Sequence, residues 1–162
     1  MIVVSNSSPL MSLSNIERLE LIKWKFDEIL IPYAVWKEIT VDGKGKKGAG
    51  HVQNSTWIKV KSIKNKTSFN LLQNYIDYGE AEAIALALET QADVLLLDDK
   101  SARQIAVKLG FKVMGVLGIL IWAKNEGLIT SLSEEIEKLK KQANFRLSNK
   151  LIENVLQKIS EK

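Results

Sequence analysis

Residues 92–106 read ADVLLLDDKSARQIA. The run DVLLL (93–97) is uniformly apolar and bounded by charge, as expected of a strand buried on both faces of a parallel sheet. The residues that follow favour a helix, Asp99–Leu109, stopped by Gly110, and Phe111–Met114 is a second short strand. Upstream, Gly79 interrupts the chain and Glu80–Thr90 is an alanine-rich helix of high propensity. Working outward, Ile2–Ser5 is a β-branched opening strand. Ser7 or Ser8 serves as an N-cap, with Pro9 in the first helical turn. Helices over Leu10–Ile16 and from Glu17 to about Phe26 follow. Asp27–Ile31 is a strand closed by Pro32, Tyr33–Ile39 a helix, Trp57–Lys61 an edge strand and Ser68–Ile76 a helix. Three helices end the chain at about 115–125, 133–143 and 148–160. Alternating strands and helices with apolar strands define an α/β class, a mainly parallel sheet covered on both faces.

Composition narrows the chemistry. The chain has 162 residues, the size of one domain, and an ordinary apolar share of 46%. We expect a single domain over 1–162, with an α/β core to about 130 and helices beyond. There is no cysteine and one histidine, His51, so disulfides, thiolate chemistry and a multi-histidine zinc site within one chain are excluded. A metal here needs oxygen ligands, which points to Mg²⁺ or Mn²⁺. The opening MIVVSNSSPLMSL lacks a basic leader, and no apolar run is long enough to span a bilayer, so a cytoplasmic location is expected. The net charge of +4 mildly favours a polyanionic partner.

Ligands of open α/β sheets bind beyond the carboxyl ends of the strands. There the first strand ends in Ser5-Asn6-Ser7-Ser8 and DVLLL ends in Asp98-Asp99. The helix before DVLLL opens with Glu80 and Glu82, and Glu38 lies near the end of YAVWKEI. Each acid has an ordinary explanation as a cap, a dipole partner or a solvated charge. Their coincidence at one sheet edge points further, because clustered carboxylates repel unless a cation neutralises them, and such a cation supports phosphodiester cleavage.

The segments IVVSNSSPLMSL, IPYAVWKEI, YGEAEAIALALE, ADVLLLDDKSARQIA and GFKVMGVLGILIWAKNEGLI, in this order, resemble the PIN-domain nucleases, and more closely a toxin-like prokaryotic PIN-related family. The resemblance covers about the first 130 residues and extends to the C-terminal helices. It implies a three-layer α/β/α fold and a divalent-metal-dependent ribonuclease, the toxin of a toxin–antitoxin pair, with RNA as substrate and a small antitoxin as partner. Position by position, it implies Asn6 where the first acid of the fold stands, then Glu38, then Glu80 with Glu82 as alternative, then Asp98 or Asp99. Ser7 or Ser8 matches a small hydroxyl residue beside the first position, and Arg103 is a candidate phosphate contact. Asn6 is the departure: an amide oxygen brings no charge, which weakens metal binding and motivates an alternative reading, a PIN-like RNA- or protein-binding module without catalysis.

Other features carry less. GKGKKGAG lacks the spacing of a phosphate-binding loop, and VDGKGKKGAGHVQNST reads as the one flexible, solvated loop, with His51 a surface residue. Leu139, Leu151, Val155, Leu156 and Ile159 form a helical apolar stripe suited to packing on the domain or in a homodimer. A response-regulator-like domain would place its acidic pair after the first strand, where this chain has SNSS.

Overall fold

A computed structural model describes residues 1–159 of the chain. Five strands, β1 (Val3–Ser5), β2 (Ile29–Ile31), β3 (Ile58–Val60), β4 (Val94–Leu96) and β5 (Lys112–Met114), form one sheet in the order β3-β2-β1-β4-β5. Every pairing is parallel. Val4 stands opposite Leu30 on one side and Leu95 on the other.

The helices are α1 (Ser7–Asn15), α2 (Glu20–Phe26), α3 (Tyr33–Lys37), α4 (Lys47–Gln53), α5 (Lys66–Leu72), α6 (Tyr78–Thr90), α7 (Lys100–Lys108), α8 (Val116–Asn125), α9 (Leu132–Gln142) and α10 (Asn149–Lys158). Side chains alternate across a strand, and the apolar strands serve two cores accordingly. Val3, Ile29, Ile31, Val94 and Leu96 pack with α1, α2, α8 and α9. Val4, Leu95 and Leu97 pack with α5, α6 and α7 on the other face. This is the three-layer arrangement expected from DVLLL. In α6, Ala81, Ala83, Ala85 and Ala87 are all buried beside Ile84 and Leu86, and small side chains let a helix covered on several sides lie close to the sheet.

The end of the chain covers the first core. Leu132, Ile136, Leu139 and Val155 are buried in it, and Leu156 and Ile159 pack against it. Leu151 stays 42% exposed. Glu135 on α9 is buried and accepts Arg18 Nη2 at 2.6 Å, tying α9 to the turn between α1 and α2.

Three expectations need correction. The residue capping α1 is Asn6, not Ser7 or Ser8, and its side chain makes no capping hydrogen bond. The second helix begins at Glu20 rather than Glu17, because Glu17 adopts φ 59°, a left-handed conformation that ends the preceding turn. The supposed flexible segment is largely structured. α3 runs on into a π-helical turn over Glu38–Asp42, and α4 follows after a short turn. Gly48, Ala49 and Val52 are buried, and a side chain at Gly48 would already touch Met11 and Ile39. Small residues at helical spacing thus dock α4 on α1, a signal that the surrounding Gly and Lys masked. His51 is partly exposed, 3.7 Å from Glu17.

Candidate functional site

β1 and β4 are adjacent and parallel, so their carboxyl ends deliver Asn6 and Asp98-Asp99 to one edge. Asn6 follows β1 directly. Its amide hydrogen-bonds the Leu96 carbonyl at 3.0 Å, which locks it beside β4. The side chain is buried, and its Oδ1 has no hydrogen-bond partner among the described residues. A buried acceptor without a partner is costly and calls for an explanation.

Glu38 enters from the junction of α3 with the π-turn. Ser7 Oγ donates to Glu38 Oε2 at 2.8 Å, which joins the start of α1 to this carboxylate. Between them lies Gly79, inside the first turn of α6. A Cβ built there would stand 3.3 Å from Glu38 Oε2 and 3.6 Å from Asn6 Oδ1. The missing side chain therefore keeps open a space flanked by two oxygen acceptors.

Glu80 is next in sequence and is buried. Its pKa is pushed from the usual 4.5 to about 7, first by burial and then by the negative charges of Asp77 and Asp99. Asp77 caps α6, accepting the Glu80 N–H at 3.2 Å. The Asp77-x-x-Glu80 spacing is the sequence signal of a helix start, yet it had not marked Asp77 as a charge acting on Glu80.

The two open alternatives separate geometrically. Glu82 Oε1 accepts the Ala34 N–H at 3.1 Å and so caps α3 from α6. Asp99 caps α7 through the Ala102 N–H at 3.0 Å and also faces Glu80 with its charge. Asp98 goes elsewhere. Its Oδ1 accepts the Val116 N–H at 3.1 Å at the start of α8, and burial pushes its pKa to about 6 against the opposing pulls of that N–H and of Arg103. Arg103 Nη1 donates to the Leu97 carbonyl at 3.2 Å. A Cβ at Gly115 would collide with Asp98 Oδ1 and stand 2.6 Å from Arg103 Nη1, so a larger residue there would displace the ends of those two side chains. Ser8 is half-buried, with no side-chain hydrogen bond among the described residues.

The edge therefore gathers Asn6, Ser7, Glu38, Gly79, Glu80 and Asp99; Asp98 stands beside it, with Oδ1 on the Val116 N–H and a buried Oδ2 that has no partner among the described residues, while Glu82 and Arg103 hold neighbouring backbone groups. Among the described residues, no three His, Cys, Asp or Glu side chains form a metal-holding group by themselves. The donor chemistry nevertheless suits a hard divalent cation once the unpartnered Asn6 Oδ1 is counted, since all donors are oxygens and their charges frustrate one another.

Two consequences are measurable. Replacing Glu82 by Ala removes the acceptor at the start of α3 and is expected to lower unfolding stability by about 1 kcal/mol, as read by urea denaturation. Glu82→Gln, which keeps an acceptor, should recover most of it. The second concerns pH. Folded Glu80 and Asp98 retain protons that the unfolded chain has already lost, so stability falls as pH rises from about 4 to about 7. Melting temperatures in EDTA should decline over that window, and Glu80→Gln should flatten the decline.

A PIN-domain family model matches residues 2–161. The chain belongs to the PIN-domain family, whose fold is of the nuclease type. No protein of curated function matches it in sequence. No helix among the described residues is long and apolar enough to cross a membrane.

Proposed function

We propose that this chain is a divalent-metal-dependent ribonuclease of the PIN type, acting in the cytoplasm as the toxin of a toxin–antitoxin pair. The observation that carries the reading is the open face of Gly79. It is flanked by the unpartnered Asn6 Oδ1 and by Glu38 Oε2, next to a Glu80 whose ionisation is opposed by Asp77 and Asp99. Glu80, Asp99, Glu38 and the Asn6 amide oxygen would hold Mg²⁺ or Mn²⁺. Such an ion supplies Lewis acidity toward a phosphodiester and activates water.

The protein's own groups prepare that site. Ser7 holds the Glu38 carboxylate in place through its hydroxyl. Burial of Glu80 keeps bulk water from screening its charge. Because Glu80 keeps its proton up to about pH 7 in the metal-free state, cation and proton compete for it.

RNA is favoured as substrate by what surrounds the edge. Lys61, Lys64 and Lys66 are exposed just past the carboxyl end of β3, where they attract phosphates. Tyr33 and Tyr78 are 50% and 57% exposed. They adjoin Ala34 and Gly79 in the chain and offer rings to unstacked bases.

The test is cleavage of a mixed RNA pool by the purified protein in Mn²⁺ and in EDTA. Fragments in Mn²⁺ alone support the reading. Intact RNA in both sinks it. Asn6 favours the second reading, a catalytically weakened RNA- or protein-binding module. RNA affinity that persists in EDTA, with no cleavage in any metal, would select that one.

A further inference from the structure

Beside Asp98, an open groove of about 1070 Å³ runs between α7, the β5–α8 turn and the segment leading into α10. Its floor is apolar, with Leu117, Ile121, Phe145 and Leu147 among the lining. Its polar lining is cationic: Lys100, Arg103, Lys108 and Arg146. The lone acid is Asp98, whose Oδ1 accepts the Val116 N–H and whose charge is opposed by Arg103, while its buried Oδ2 has no hydrogen-bond partner among the described residues. Lys100, Lys108 and Arg146 have no salt-bridge partner among the described residues. Val107 and Leu151, both in the lining, are 59% and 42% exposed. A contiguous apolar surface ringed by charge of one sign marks an interaction site rather than ordinary surface.

We propose that this groove docks an acidic amphipathic helical segment of a partner protein. Charge complementarity selects the occupant. Apolar anchors at positions i, i+3, i+4 and i+7 would fill the floor, and flanking Asp or Glu residues would meet Lys100, Lys108 and Arg146. RNA fits less well, because the floor is aliphatic with one aromatic ring and offers bases little to stack on or hydrogen-bond with. The volume also reaches the upper end of small-molecule pockets, and the groove is open along its side. The occupant would lie one residue away from Asp99, beside the acidic edge but not in it.

The experiment uses the full chain in EDTA and a fluorescein-labelled synthetic helix of about four turns. The helix carries Leu at the anchor positions and Glu elsewhere; its twin carries Lys in place of Glu. Anisotropy should show the acidic peptide binding at about 10–100 µM and at least tenfold more tightly than the twin. Lys108→Glu with Arg146→Glu, and separately Val107→Asp at its exposed position, should each weaken it at least tenfold while leaving the circular dichroism spectrum unchanged. Glu80→Gln should leave it unaltered, so failure of the nuclease reading shows separately. Equal binding of the twin, or no binding at about 1 mM, overturns the proposal. So does a single-stranded oligouridylate whose binding is lost in the charge-reversed variant while the peptide does not bind. A dimer seen by sedimentation and dissolved by Val107→Asp, without peptide binding, would assign the groove to a second copy and overturn it equally.

Discussion

Glu80→Gln should reduce metal-dependent RNA cleavage by at least ~100-fold, with the fold intact. The substitution preserves size and keeps the Glu80 backbone N–H on Asp77, so α6 still starts at the same place. What is lost is a charge that the site has been arranged to make reactive. With a pKa near 7, the carboxyl is a poor anion until a cation arrives, and glutamine cannot respond to that arrival. The metal-free variant should even be more stable than the parent above pH 7, because the unfavourable ionisation beside Asp77 and Asp99 is gone. Activity falling while the melting temperature rises is a signature that loss of folding cannot produce. Cleavage by Glu80→Gln at the parental rate would remove this residue from the mechanism. Glu82→Ala supplies the contrast, since its stability should drop while cleavage persists.

Asn6→Asp should tighten Mn²⁺ binding by about tenfold or more and raise cleavage in step. The position is already built: the backbone is locked on Leu96, and an oxygen stands unpartnered toward the space beside Gly79. Aspartate differs from asparagine there by one charge at nearly constant volume. Without metal the same change is unfavourable, because it adds a buried carboxylate near Glu38 without a new donor. The variant should therefore melt lower than the parent in EDTA and gain more from Mn²⁺. Isothermal titration with Mn²⁺ and melting curves with and without it read both halves. Unchanged affinity would mean that residue 6 does not face the ion, and the alternative of a binding module would then lose its motive.

The sheet was legible because its code is local. An unbroken apolar run of strand length, bounded by charge, has few other solutions in a parallel α/β layer, and DVLLL told of β4 and of its two covered faces together. The PIN resemblance likewise anticipated the family and the fold. Choosing between Asp98 and Asp99 was beyond the sequence. Adjacent residues at a strand end diverge, and which one turns toward Glu80 depends on the α8 amide that claims Asp98, eighteen residues onward in the chain. Glu80 and Glu82 were ambiguous for a similar reason, since the unpaired amide of Ala34 settles the latter. Gly79 read as an interruption, although the helix runs through it. Its role is an absence of atoms, and only neighbouring oxygens reveal that. α4 was missed because the Gly- and Lys-rich stretch that leads into it reads as a loop, while Gly48, Ala49 and Val52 do the packing.

The strand order has a bearing on synthesis at the ribosome. The first strand made becomes the middle of the sheet, and its register partners lie at Leu30 and Leu95. Asn6 emerges early, but its neighbour Leu96 and the facing Asp99 leave the exit tunnel only after more than half the chain has been translated. Long-range pairing of this kind forms late. A nascent chain therefore carries no assembled carboxylate edge while its own message is still being read through that first half.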